Sequence, residues 1–258
     1  MVEHADASGR HVARPTLGGC VPRVLAVLAA GLLAASCAGG TEDDGARRPR
    51  PTAPLPTSAA STAPPVTTPP TFDGRVEGIP DATRLHSSWR PGCPVPLEDL
   101  RLLTLEHWGF DGSEHRGELV VHADHAEAVV GVFRTLFEAR FPIERMELVD
   151  AFGADDDAVM AANDTSGFNC REVVGRPGVW SQHASGLAID INPLVNPYVL
   201  GPDDVRPPAG VAYLDRTRDA AGLIRDGDVA VAAFAAIGWE WGGTWDMPDY
   251  QHFSATGR

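Results

Sequence analysis

No lysine occurs anywhere in the 258 residues, so all 21 basic side chains are arginine. That absence excludes Schiff-base chemistry, a Walker-type phosphate-binding lysine and a serine–lysine dyad together. Positive charge is scarce in general. The formal net charge is −14, and no basic face is visible that would neutralise phosphates, which excludes nucleic acid as a partner and adhesion to an anionic surface by charge alone. The sequence also lacks an internal repeat and any apolar run long enough to span a bilayer as a helix. Periodic apolar patterning is missing from the first third and present from about residue 79 onward.

The longest apolar run, Val24 to Ser36, is preceded by Arg10, Arg14 and Arg23 and followed by small residues, the layout of a secretory signal. Residues 1–36 are therefore expected to be a signal peptide. The run stops at Cys37 after Leu33, Ala34, Ala35 and Ser36, which resembles a bacterial lipobox with Cys37 as the lipidated residue. Ala34 stands where leucine is commonest, and cleavage near Ala38 without a lipid is the alternative. On either reading the product is exported, to the outer face of the cell membrane as a lipoprotein or free, and membrane contact is limited to the anchor. Residues 37–78 are rich in Pro, Thr, Ser and Ala, cannot bury a core, and read as a disordered tether. Residues 79–258 read as one folded domain, long enough for a proper core, and a monomer is expected.

Of four cysteines, only Cys93 and Cys170 fall in that domain. An oxidising compartment favours their pairing over two buried thiols or a nucleophilic Cys170.

Leu100–Leu105 and Glu118–His122 alternate as neighbouring strands, with Gly112 and Gly117 in the turn region. Asp124 and Glu127 have capping-box spacing, and the helix after them places Val129, Phe133, Leu136 and Phe137 on one face before Pro142. Ile143–Val149 reads as a strand, Asp155–Ala162 as a short helix, and Asp228–Ile237 as a helix ended by Gly238. Strands and helices mix without a βαβ rhythm, so the class is α+β, a small antiparallel sheet with packed helices.

The chemistry concentrates in two stretches. In Ser181–Pro193 the chain alternates after Gly186, so Leu187, Ile189 and Ile191 suit the core while Ala188, Asp190 and Asn192 face the other way. His183, before the Gly186 turn, can swing back to the face of Asp190, and Ala188 leaves room for an ion between them. Two such ligands on a rigid element suit zinc. In Gly238–Phe253, rich in tryptophan and glycine, Asp249 precedes His252 by three residues. A bend there would bring the Asp249 carboxylate near a water while His252 binds the metal. Either spacing alone is weak, since a nearby His and Asp are usually a surface pair.

Together the stretches resemble the zinc DD-peptidase family of D-Ala-D-Ala carboxypeptidases, dipeptidases and L-Ala-D-Glu endopeptidases. The shared pattern is S-x-H-x-x-G-x-A-x-D at Ser181–Asp190, W-x-W-G-G-x-W from Trp239, and D-x-x-H-F ending at Phe253. Thr165–Arg171 and Gly92-Cys-Pro-Val are further matches, so the resemblance spans most of residues 90–253. It implies the zinc DD-peptidase (hedgehog-like) fold, one Zn2+ held by His183, Asp190 and His252, Asp249 as catalytic base, and Arg171 steadying substrate or intermediate. Stem peptides of bacterial peptidoglycan are the implied partner. Some branches carry glutamate where Asp249 stands, and aspartate looks like the endopeptidase-like branch. Arg171 has two further readings, a clamp on a terminal carboxylate or a structural salt bridge. A zinc-stabilised wall-binding module without catalysis is the rival function, and it would not need the base.

Ser181 is assigned to hydrogen bonding within the site. Of Trp239, Trp241 and Trp245, one, Trp241, is assigned to a substrate groove and the others to the core. His115, His122 and His125 read as exposed and uncoordinated, and Glu240 as a weaker rival base than Asp249.

Overall fold

The computed structural model describes residues 71–257. The expected signal segment, Cys37 and most of the tether lie outside them. The folded chain nevertheless starts earlier than expected: β1 (Gly74–Gly78) lies inside the segment read as tether and pairs antiparallel with β2 (Leu100–Trp108), Gly74 opposite Leu105. Five residues framed by glycines carry no composition signal, so only the pairing identifies them as a strand.

β2 pairs in turn with β3 (Glu114–His122), from Leu100 opposite His122 to Trp108 opposite Glu114. Both faces of this three-stranded sheet are covered. Leu103, Leu105, Leu119 and Val121 enter the main core, while Leu100, Leu102 and Val120 enter a second core with Leu85, Val95, Phe168 and Cys170. That double coverage explains the nearly continuous apolar runs. A disulfide joins Cys93 to Cys170 beside the second core, with Cα atoms 5.8 Å apart.

Helix α1 (Ala126–Glu138) lays Val129, Phe133 and Leu136 into the main core and buries Phe137 against Phe72 and Trp108, as its periodicity requires. Its start differs from expectation. A 3-10 turn at Ala123–His125 precedes it and places Asp124 inside the turn, so the capping box does not form. Instead the backbone N–H of Asp124 donates to His122 Nδ1 at 3.2 Å. Helices α2 (Asp156–Ala161) and α3 (Val229–Ala236) occupy the expected places, with Asp155 capping α2 through the N–H groups of Asp157 and Ala158.

Residues 143–149 are not a strand. Their buried residues are Ile143, Met146 and Val149, spaced by three rather than two. Their hydrogen bonds also go to unrelated partners: Ile143 N to Trp108 O, Glu144 N to Asn192 Oδ1, and Glu147 N to Asp164 Oδ1. The apolar and polar mixture seen in sequence marks burial without a ladder.

Asp164 is fully buried, and its Oδ2 has no hydrogen-bond partner. Burial, with the nearby Glu147 carboxylate, raises its pKa to about 7 against the pull of the Glu147 N–H and Arg145. Between 3.8 and about 7 the folded state holds a proton that the unfolded state has lost, so stability falls as pH rises through that window. Asp164→Asn cannot show that fall. The stability of the variant relative to the parent is expected to rise from pH 4 to pH 8 by on the order of 2–4 kcal/mol, the worth of about three pKa units at most. Urea unfolding at the two pH values checks this, and a constant difference would contradict it.

The second sheet is small and decides the site. β4 (Ala188–Asp190), β8 (His252–Ser254) and β7 (Glu240–Trp241) lie in the order β4-β8-β7, all antiparallel, and a hairpin of β5 (Tyr198–Gly201) and β6 (Asp204–Arg206) stands beside them. The architecture is α+β, with small antiparallel sheets and few helices.

Candidate metal centre

In β4 and β8, Ile189 pairs with Phe253 and Asp190 with His252. Directly opposed residues share a face, so the period of two sends Ile189 and Phe253 into the main core and Asp190 and His252 out of it together. Phe253 stacks on Phe234 of α3 with centroids 4.2 Å apart, which fixes β8. On its other edge β4 exchanges both backbone hydrogen bonds with Ser166 through Asp190, at 3.0 and 2.9 Å. Asp190 is thus held by backbone on both sides.

His183 comes from the 3-10 turn Gln182–Ser185. Ser181 caps this turn, its Oγ accepting from His183 N at 3.3 Å. The turn closes at Gly186, whose φ is +67°, and a Cβ there would sit 2.5 Å from the backbone N of His122. Both facts require glycine. The Gly186 turn therefore folds His183 back over Asp190, as the sequence reading expected.

His183 Nδ1 lies 2.7 Å from the Gly167 carbonyl. A carbonyl can only accept, so Nδ1 carries a proton, and in the neutral ring Nε2 presents a lone pair. That Nε2 is 3.2 Å from Asp190 Oδ2 yet is buried with no hydrogen-bond partner. With the neutral imidazole, two lone pairs turn toward one point, an arrangement a cation satisfies. His252 Nδ1 lies 2.9 Å from the other carboxylate oxygen, Asp190 Oδ1.

The three ligand atoms fall within 4.8 Å of one another, and all three side chains are buried. Tetrahedral ligands at 2.0–2.2 Å from a zinc ion would stand roughly 3.4 Å apart. His183 and His252 approach different oxygens of the Asp190 carboxylate, at 3.2 and 2.9 Å, and one ligand atom from each residue lies close enough to the others to share an ion. Among the described residues this is the sole cluster of three or more candidate ligands able to hold a metal ion.

Asp190 and the two imidazoles support each other's charge. Burial opposes the charge on Asp190, but the imidazoles of His183 and His252 outweigh it and hold the carboxyl below its ordinary range. Burial likewise disfavours a charged His183, and Asp190 reverses the balance and raises it.

Asp249 lies in the turn entering β8, where His252 N approaches Asp249 O at 3.3 Å, the bend expected from sequence. Its carboxyl is buried, and Oδ1 has no partner. Burial and the Asp190 charge raise its pKa to about 7, against the pull of His252, Gln251 and Arg171. Gly242 makes room for it, since a Cβ there would meet Asp249 O at 2.8 Å.

Arg171 contacts Asp156 of α2, Nη2 to Oδ2 at 2.8 Å, both side chains about a quarter exposed. The salt-bridge reading of Arg171 is therefore realised. Its charge is still felt in the site, pulling down the pKa of both His183 and Asp249.

Trp241 is not at a groove. It is buried in the main core, and its Nε1 donates to Tyr250 O at 2.9 Å. Glu240 is exposed, so strand alternation turns both Trp239 and Trp241 to the core. That signal was present in the sequence. The tryptophan beside the centre is Trp245, half-buried, with its ring 5.5 Å from that of His252. Glu240 reaches toward Gly257, where a Cβ would meet its Oε2 at 2.6 Å. His125 accepts from Trp239 Nε1 at 3.2 Å, and His115 pairs with Asp111. Neither the Gly167 carbonyl that orients His183 nor Asp156 beside Arg171 carried a sequence signal, because both depend on long-range packing.

The mixed α+β chain thus carries a buried His-Asp-His cluster that could hold a metal ion, with the buried Asp249 carboxyl close to it in sequence and charge. Residues 174–255 match the family model described as D-alanyl-D-alanine carboxypeptidase. That match supports the zinc DD-peptidase family over the segment that holds His183, Asp190, Asp249 and His252, and it implies peptidoglycan-type substrates. No curated protein and no solved structure matches the chain.

Proposed function

We propose that the chain is an exported zinc peptidase that hydrolyses peptide stems of bacterial peptidoglycan, with His183, Asp190 and His252 holding one Zn2+. The observation that carries this reading is the convergence of His183 Nε2, which has no hydrogen-bond partner, on the Asp190 carboxylate that also meets His252, beside the buried, unpartnered Oδ1 of Asp249. Bound zinc supplies a Lewis acid for the scissile carbonyl and lowers the pKa of water to about 7.

The protein's own groups do the rest. Asp249, with a pKa near neutrality, accepts the proton of the attacking water and returns it to the leaving amine. Arg171, steadied by Asp156, places positive charge toward the negative charge that develops on the tetrahedral carbon's oxygen, or toward a substrate carboxylate. The Gly167 carbonyl keeps His183 in the tautomer that leaves Nε2 free to bind the metal. A binding module without catalysis would not need a buried carboxyl with a free oxygen beside the ligands, which favours the enzyme.

Export follows from the apolar run ending at Ser36, and anchoring from Cys37. Purified protein loaded with zinc is expected to release fragments from isolated wall peptides, read by mass spectrometry of the digest. Absence of any cleaved stem bond at full zinc occupancy would overturn the enzymatic reading.

A further inference from the structure

Segment 191–198 leaves β4 and runs beside the turn that carries Asp249. Two buried asparagines lock it. Asn192 donates to the carbonyls of Pro142 and Gly222 and accepts from Glu144 N, while Asn196 donates to Ile191 O and Gly222 O and accepts from Ile224 N and Arg216.

Beyond this lock the backbone forms a short antiparallel bridge. Val199 N donates to Pro248 O at 2.8 Å, Tyr250 N donates to Pro197 O at 3.3 Å, and Tyr198 is the direct partner of Asp249. Hydrogen bonds on the flanking residues rather than on the pair itself define the narrow type of antiparallel pair, whose Cα atoms stand about 4.5 Å apart with side chains on one face. The phenol of Tyr198 therefore leaves the backbone on the same side as the Asp249 carboxyl.

Tyr198 is half-buried, and no hydrogen bond within the described residues engages its hydroxyl. Burial and the neighbouring carboxylates of Asp249 and Asp204 hold the phenol above its usual range, so it keeps its proton and acts as a donor. A donor on the same side of the bridge as the base is placed to meet a peptide held against Asp249.

We propose that Tyr198 is a substrate-contacting residue of this centre, its phenol donating a hydrogen bond to a backbone carbonyl of the peptide on the Asp249 side. The proposal rests on the peptidase reading for the identity of the ligand. The lock on Asn192 and Asn196 gives it a rigid origin, as a contact that must form in one geometry requires.

Tyr198→Phe removes only the hydroxyl and keeps the ring. The zinc-loaded parent, this variant and Tyr213→Phe as a distant control are compared on a stem pentapeptide ending in D-Ala-D-Ala and on isolated wall peptides, for turnover and, by calorimetry, for binding. Expected for Tyr198→Phe are unchanged zinc content and melting, and kcat/KM lowered about 10-fold or more, with Tyr213→Phe like the parent. If the parent binds the peptides without cutting them, weaker binding by Tyr198→Phe still supports the contact while the peptidase reading falls. Turnover and binding equal to the parent's would overturn the contact and leave the peptidase reading intact. A parent that neither binds nor cuts would overturn both.

Discussion

Asp249→Asn is expected to keep its zinc and lose turnover by about 100- to 10,000-fold, the usual worth of a positioned general base. The reasoning starts from the environment of the carboxyl. Asp249 is buried, its Oδ1 has no protein partner, and burial with the Asp190 charge lifts its pKa to about 7. A group so placed costs stability to keep ionised and leaves Oδ1 free to receive a proton, which marks it for proton transfer. Asparagine keeps the size of the side chain and its fit against Gly242 but cannot accept the proton. Steady-state kinetics on wall peptides together with metal analysis check the prediction. A variant that cuts as fast as the parent would assign the base elsewhere.

The second large effect belongs to Asp190. It is the one ligand that touches both others, at 3.2 Å to His183 Nε2 and 2.9 Å to His252 Nδ1, and both imidazoles hold it ionised against burial. Asp190→Asn preserves the backbone pairing with His252 and with Ser166 but removes the negative charge. Zinc affinity is expected to fall by more than the 10- to 100-fold that loss of a merely supporting partner costs, and activity is expected to fall to background. A folding readout separates this from unfolding. Added zinc should raise the melting temperature of the parent through binding linkage and leave that of the variant unmoved. An undiminished zinc-induced shift in Asp190→Asn would remove Asp190 from the ligand set.

Much of this centre was legible before any coordinates. Gly186 announced a turn, the alternation after it announced a strand, and the two together placed His183 and Asp190 on one face. The bend between Asp249 and His252 was equally readable from their spacing. What the sequence could not carry was the pairing of Asp190 with His252, because register between strands 62 residues apart is set by packing of Ile189 and Phe253 rather than by local pattern. Arg171 shows the same limit, since its partner Asp156 sits on a separate helix.

The misreadings have physical causes too. Residues 143–149 read as a strand from an apolar and polar mixture that is not a true alternation, and Asn192 and Asp164 side chains take N–H groups a neighbouring strand would have used. The assignment of Trp241 to a groove overlooks Glu240 beside it, whose exposure turns Trp241 inward on β7. Asp124 lost its capping role to a 3-10 turn that propensity does not foresee.

X-ray absorption at the zinc edge of the loaded protein tests the centre most directly. Two imidazole nitrogens and one carboxylate oxygen at about 2.0–2.2 Å, with one additional light-atom ligand, are predicted. A spectrum showing a single imidazole, or sulfur in the coordination shell, would contradict the assignment of His183, Asp190 and His252.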